Sequence, residues 1–591
     1  ANGQLTTATA APGPITLTSG SHYAWSARVP TVTNIDNLLL CANSGAFTLT
    51  GTNFDGATAV AIGGVPVSSF SVVSSTSITG FAGATATGVV TVTGIGGGVG
   101  SGSQTVTVNP SPVAPVASPT SQTVLFGNQA SLGVTGAGGT LNWYNQPNGG
   151  TSLATGTTYS PTPCATTTYY VSENNGSCEG NRVAIPVTVT MPTVSNSTPS
   201  FCGIGGNDTL TANNLSTGAS FTWTPLTSGA TLSSTSSNPT VASLVTTSDF
   251  QLAVTVAGCP TYSVYTSIGV YPLPSANLTA TPDQICPGGS TLINTGLSSG
   301  NFSVISIPPV TFTAPANAGV IMNAGIAVTP LSGGNMDDGG WANIPIGFSF
   351  NFFGSSFTTI AAGTNGLLMF GTVPGYGVTA GQLGQYTFNG PPYFPNATNP
   401  GNIISLLAGD LHMGNSINGS IKYWTEGYAP NRKFVIKYDR VHGYLSNPEA
   451  TVTCVLYETL GIVEIFIDNK TFANSAIVGL QDATTTIGAV APGRTGLWTT
   501  TTPEGWRFSP PSNYNTIWTA TNINGSTTIA NGQNIFTQTV TPSVSTNYSI
   551  SYTNQTTGCT NAPGSAQIQM NVLSTNPPAG LTSNSTKTLV C

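Results

Sequence analysis

Apolar and polar residues alternate one by one in short runs along most of the chain, and the runs are bounded by Gly, Pro, Asn and Ser. Period-two alternation predicts strands with one buried face. TTTYYVS (166–172), DFQLAVTV (249–256) and STNYSISY (545–552) are of this kind, as are FSFNFF (348–353), VTCVLYE (452–458) and VEIFID (463–468). The last two are separated by a short turn containing Leu460-Gly461, which predicts a hairpin. The chain has no stretch of 18 or more apolar residues, so the sequence offers no transmembrane helix.

The runs are organised in repeats. Three segments share one plan: a Pro-containing linker, a strand, a Trp about midway, an alternating Thr/Tyr/Val strand and then a Cys. Trp143 precedes Cys178, Trp223 precedes Cys259 and Trp518 precedes Cys559, each by 35 to 41 residues. A mid-domain Trp near an inter-sheet disulfide is the immunoglobulin-type arrangement. On that plan Cys202 pairs with Cys259. Cys286 opens a domain in the same way, but its Trp arrives about 210 residues late, the size of a whole domain. The reading is an insertion near 301–511, bridged by a Cys286–Cys559 disulfide, because surface loops tolerate long insertions. In the first segment Phe126 holds the early Cys position, and Cys164 is near enough in sequence to close a local loop with Cys178. The predicted fold class is therefore all-β: tandem immunoglobulin-like β-sandwiches, with a larger β-sandwich domain inserted into the last one. The expected parts are an N-terminal segment (1–30), sandwiches at 31–108, 109–191 and 192–273, and a split sandwich at 274–300 plus 512–573. The insert occupies 301–511, and 574–591 is a linker with the start of a further domain or an exchanged strand.

Composition supports strands and sets the compartment. Thr and Val abound, and charged residues are 5% of the 591, against about 25% in typical soluble proteins. Net charge is −7, and eight of the eleven basic residues lie between Lys422 and Arg507. No basic patch exists to neutralise a phosphate backbone, which argues against nucleic-acid binding. An almost neutral polar surface offers little repulsion between copies and permits close lateral packing. Nine cysteines at domain-scale spacing, without CxxC pairs, suggest an oxidising extracellular compartment and no zinc site.

Several segments resemble known families. FTLTGTNFDGATAVAIGGVPVSSFSVVSSTSIT, with its GTNF turn (51–54), VAIGGVPV hairpin (60–67) and VVSSTSIT strand (72–79), resembles the IPT/TIG immunoglobulin-like domains. Segments 110–191, 192–273 and the split sandwich resemble Ig-like and PKD-like modules of secreted Bacteroidota proteins, which implies secretion, by the type IX route. Residues 335–508 resemble the nidogen-like (NIDO) domain. The matching blocks are DDGGWANIPIGFSFNFFGSSFTTIAAGTNGLLMFG (337–371), IISLLAGDLHMGNSINGSIKYWTEG (403–427), RKFVIKYDRVHGY (432–444), ATVTCVLYETLGIVEIFID (450–468) and AIVGLQD (476–482). This resemblance implies an all-β domain of extracellular adhesive proteins with no catalytic role. The chain departs from the family at Ala408-Gly409, where an aromatic usually precedes the central Asp-Leu pair.

Candidate chemistry is sparse. The three histidines are His22, His412 and His442, and no G-x-S-x-G elbow is present. Asp410 with His412 is the one close acid–His pair and reads as a strand-end polar pair. Asn335, Asp337 and Asp338 form a short acidic loop that could take Ca²⁺ through oxygen ligands, with a plain turn as the simpler reading. Tyr376, Tyr386 and Tyr393, with Phe394, sit in a Gly/Pro-rich stretch and are candidates for stacking on sugars or for covering a loop. Arg432, Lys433, Lys437, Asp439 and Arg440 are interspersed with apolar residues and are expected on a solvated face. Asp208-Thr209-Leu210 matches a short O-glycosylation pattern. Cys454 is expected as a buried free thiol.

Two functions fit. The first is an extracellular structural or adhesive protein, a segment or subunit of a cell-surface adhesin or filament, not an enzyme. Its partners would be other copies of itself, neighbouring domains of a longer chain, or surface glycans. The second is an ancillary carbohydrate-binding region of a secreted polysaccharide-degrading enzyme. Cys591 is placed like the first cysteine of another sandwich, and Cys41 also lacks a partner within its own. The chain is then read as a fragment of a longer array; alternatively its tail completes or cross-links a neighbouring copy.

Overall fold

The computed structural model describes residues 28–274, 276–297, 302–371, 394–397, 400–444, 449–511 and 513–572. It divides into two compact units. One is the chain up to Met191 together with Asn214–Ala219 and Val256–Pro260, and the other comprises Pro192–Asn213, Ser220–Thr255 and the chain from Thr261 onward. The named elements are strands, apart from one 3₁₀ turn at Met413–Asn415. The protein is all-β.

The first unit holds two sandwiches. In the first, a four-stranded sheet (Thr31–Ile35, Ala46–Thr52, Ser77–Phe81, Ser69–Ser74 in order) packs on a five-stranded one (Leu39–Cys41, Val99–Asn109, Ala86–Thr93, Ala59–Ile62, Val65–Pro66). Alternating residues supply the core between them: Phe47, Leu49 and Ile78 from one sheet, Val60, Ile62, Val90, Val92, Val106 and Val108 from the other. In the second, Val116–Ala117, Leu132–Thr135 and Thr158–Tyr159 form the small sheet. Gln122–Leu125, Val183–Thr190, Thr167–Asn174, Thr140–Tyr144 and Ala154–Thr155 form the large one.

The second unit repeats this plan at Thr193–Tyr271, with two four-stranded sheets. It repeats it again with a sheet of Thr279–Thr281, Thr291–Asn294 and Thr537–Val540, and a second sheet of Gln284–Ile285, Gln567–Val572, Thr546–Asn554, Tyr514–Asn522 and Gly525–Gln533. In all four sandwiches a short early strand runs parallel to the last strand. These early strands are Leu39–Cys41, Gln122–Leu125, Ser200–Cys202 and Gln284–Ile285. The mid-domain tryptophans play one role. Trp143, Trp223 and Trp518 are buried, and each indole N–H donates to a carbonyl 13 to 17 residues downstream, on Gly156, Ser237 and Ile535. Burying the ring without that acceptor would strand a donor in the core.

The strands between Ser303 and Ser509 form a larger body of one eight-stranded and one seven-stranded sheet. Gly339–Phe352 shows its pattern best: Ile346, Phe348, Phe350 and Phe352 point inward while Ser349 and Asn351 face out. The expected hairpin forms, with Leu456 opposite Val463 and Gly461 at φ 61° in its turn. One expectation is corrected here. The strands Glu449–Tyr457 and Val463–Lys470 are buried on both faces. Val452, Cys454 and Leu456 join the main core, whereas Val455 and Phe466 pack with Val435 and Trp424 beneath Phe312 and Ala314 on the other side.

Candidate functional site

The cysteines are the first candidate. Cys41 pairs with Cys178, Cys164 with Cys259 and Cys202 with Cys559, at Cα–Cα separations of 5.5–5.6 Å. Cys286 is disulfide-bonded too, but not to Cys559. Cys454 is free and buried, and burial pushes its thiol up. Cys591 lies outside the described residues. The expected pairs Cys202–Cys259, Cys286–Cys559 and Cys164–Cys178 are therefore replaced, and strand geometry gives the reason. Cys202 ends the short parallel strand, opposite Tyr271, whereas Cys259 sits in the turn before Tyr262–Tyr271 begins. The two are at opposite ends of a sandwich, about 30 Å apart at the usual rise per residue. A disulfide spans Cα atoms 4.4–6.8 Å apart, so the pair cannot close. Cys286 and Cys559 are separated in the same way along Thr546–Asn554, and Cys164 and Cys178 along Thr167–Asn174. The second sandwich has Phe126 after its short parallel strand. Its cysteine has moved to an adjacent loop, where Pro163 O accepts from Gly127 N.

A cleft of about 580 Å³ is the second candidate. It opens where the third sandwich meets the larger body, both within the second unit. Tyr265 stacks on Tyr428 with ring centroids 4.1 Å apart. Tyr271 Oη donates to Asn431 Oδ1 at 2.8 Å, and Asn431 Nδ2 donates to Ser267 Oγ at 3.1 Å. Arg432, Lys433, Glu458, Glu464 and Arg507 line the cavity. The charges of the two arginines and the two glutamates are already spent on each other. Arg432 Nε donates to Glu458 Oε2 at 2.8 Å and its Nη1 to Gly347 O, while Arg507 Nε donates to Glu464 Oε1 at 2.7 Å. Burial opposes ionisation of Glu458, but the Arg432 side chain and backbone N–H outweigh it and hold the carboxyl below its usual range. Such a cleft fastens two bodies together and leaves few free groups for a ligand.

The same usage runs through the basic segment. Of the residues expected on a solvated face, Arg440 is exposed, whereas Arg432, Lys433, Lys437 and Asp439 are half-buried. Lys437 donates to Phe312 O and lies near Asp439 and Asp468, and Arg494 forks onto Glu504. Lys470 is fully buried, and its ammonium donates to the carbonyls of Phe472, Asn474 and Trp498 at 2.7–2.9 Å. Burial pushes it down to about 8. Sequence reasoning missed this cage, although a Lys inside an alternating strand is a signal for one.

The acidic loop is a turn. Asn335 Oδ1 accepts from the backbone N–H of both Asp337 and Asp338, and Asn365 Nδ2 donates to Asp338 Oδ1. Among the described residues no group of three His, Cys, Asp or Glu side chains is placed to hold a metal. Of the residues expected to take Ca²⁺, Asn335 thus caps the turn with its side-chain oxygen, and Asp338 accepts from Asn365. Asp410 lies near this loop, and burial, then Asp337 and Asp338, push its carboxyl up. His412 is 4.0 Å from Asp337 and accepts at Nδ1 from Asn415 N, capping the 3₁₀ turn. Asp208 is buried and accepts from Ser197 Oγ and the N–H of Thr198 and Thr209. The Asp-Thr-Leu motif is thus part of a central strand. Tyr376, Tyr386, Tyr393 and His22 lie outside the described residues.

Residues 311–520 match the family model described as NIDO related, and residues 112–191 match the Ig-like domain, CHU_C associated. A search of curated proteins returns no significant match. Among solved structures the chain is similar to the I9–I11 tandem of titin (13% identity, covering 42% of this chain and 98% of that one, TM-score 0.16). It is also similar to three N-terminal domains of the bacteriophage RB49 outer capsid protein Hoc (13%, 42% and 100%, TM-score 0.14). A third is the N-terminal four Ig domains of Dscam1 isoform 6.9 (13%, 42% and 73%, TM-score 0.14). The chain thus carries a NIDO-related domain and an Ig-like domain.

Proposed function

We propose that this is an extracellular structural or adhesive protein, a segment or subunit of a cell-surface adhesin or filament, without catalytic activity. The observation that carries this reading is the cysteine pattern. Each of the three cystines whose two ends are described joins a cysteine at the end of one sandwich to a hairpin turn of the next, so the bonds fasten successive modules together where the expected pairs would each have closed one module. Cystines fit an oxidising compartment. Among the described residues no helix is long and apolar enough to cross a membrane. We read 31–108 as an IPT/TIG-type sandwich and the NIDO-related body as an insert in the fourth, displayed from the row as its largest module. Its cleft residues hold it against the third sandwich.

Electron microscopy of the purified chain tests this reading. Ordered homopolymers support the filament form, and particles that stay single at high concentration sink it. A glycan-binding screen separates the adhesive reading from the carbohydrate-binding one: saturable binding to a polysaccharide would move the protein into the second class.

A further inference from the structure

The positions of the three cystines carry a consequence beyond joining neighbours. The covalent loops they close run from Cys41 to Cys178, from Cys164 to Cys259 and from Cys202 to Cys559, with sequence separations of 137, 95 and 357. Each loop begins before the previous one ends, because Cys164 precedes Cys178 and Cys202 precedes Cys259. The union of the three is unbroken from Cys41 to Cys559.

We propose that these overlapping loops form a continuous covalent tie that carries tension through the chain while most sandwich strands and the whole NIDO-related body stay off the load path; Val183–Thr190 and Gln567–Val572 remain on it. A pull on the two ends takes the shortest covalent route. It passes along the chain to Cys41, crosses to Cys178, follows the backbone to Cys202, crosses to Cys559 and leaves. Residues 42–177 and 203–558 hang in closed loops beside this route, including every strand of the larger body. The Cys164–Cys259 bond backs up the one backbone stretch, 179–201, that the other two leave exposed. A single backbone break anywhere between Cys41 and Cys559 therefore releases no piece. This inference stands on connectivity and does not depend on the adhesive reading; an enzyme's appendage could use the same device.

Cyanogen bromide decides the connectivity on the whole chain, because it cuts after methionine in denaturant, where folding no longer matters. Cutting after Met191, Met322, Met336, Met369, Met413 and Met570 gives peptides 1–191, 192–322 and 414–570, which carry all six cysteines of the three bonds. Overlapping loops keep these three peptides together until reductant is added. Pairing within each sandwich would free 1–191 without reductant, and that result overturns the proposal. In the C164S/C259S variant 1–191 should leave without reductant, while 192–322 and 414–570 stay joined. The load path is read by pulling the chain from its ends. The two large loops hold 137 and 357 residues, so the unfolded oxidised chain should stop about 1,700 Å short of the reduced one at about 3.5 Å per residue. Equal final lengths would overturn the load-path claim.

Discussion

Lys470 shows how a chain with little charge uses what it has. Its ammonium satisfies three carbonyls inside the NIDO-related body, so Lys470→Met leaves those acceptors unpaired and should lower the calorimetric transition of that body by about 2–4 kcal/mol at neutral pH. The pH dependence has a definite sign. The folded group sits near 8, below the unfolded value of about 10.4, so the unfolded chain holds more protons between these limits. Stability of the native protein relative to the Met variant should therefore rise across pH 8 to 10.5, by on the order of 3 kcal/mol; a flat difference would mean that the ammonium is not penalised by burial. Glu458 has the same sense in the acid range. Its folded carboxyl is lowered, so its contribution is present at neutral pH and is lost as pH falls through the folded value. Glu458→Gln should remove part of the acid sensitivity of the cleft and cost about 1 kcal/mol at pH 7, since the pair is partly exposed. Only the presence of charges in 422–507 was legible in the sequence. Their inward use was not, because Arg432 and Glu458 are 26 residues apart and meet only through sheet registry.

At the scale of elements, strands were legible wherever one face is buried. DFQLAVTV becomes Ser248–Thr255 with Phe250, Leu252 and Val254 inward, as alternation requires. The both-faces-buried strands were legible as strands but not as central ones, because Thr451 and Thr453 kept the appearance of a polar face while lying buried. The mid-domain tryptophans were correctly singled out, and the structure adds their carbonyl acceptors. Trp518→Phe keeps most of the ring but leaves Ile535 O without its donor at 2.7 Å. It should lower the transition of the fourth sandwich by about 1–3 kcal/mol while leaving the transition of the NIDO-related body in place. A loss in both transitions together would show that the two unfold as one unit.

For the molecule as a whole, the sequence told which cysteines are oxidised better than whom they meet. A spacing of 35 to 41 residues from Trp to Cys marks a hairpin turn, but the turn and the early cysteine of the same sandwich are a strand length apart. Only the neighbour is within reach. Charge is the other whole-molecule property. Charged residues are 5% of the chain, and most of the cations between Lys422 and Arg507 are tied to carboxylates or carbonyls of their own body. The outer surface is then polar but nearly uncharged, and its contacts rest on hydrogen bonds and small apolar patches. Salt acts on exposed charges through screening, with a Debye length of about 30 Å at 0.01 M and about 3 Å at 1 M. Self-association of this protein should therefore change little across that range, which sedimentation velocity at several concentrations can follow. Association that vanishes at high salt would show that free surface charge holds the copies together, and the near-neutral lateral packing inferred from composition would fail. Association that persists would leave the backbone edges and Thr- and Asn-rich faces as the contacting surfaces, since these are what the strands present outward.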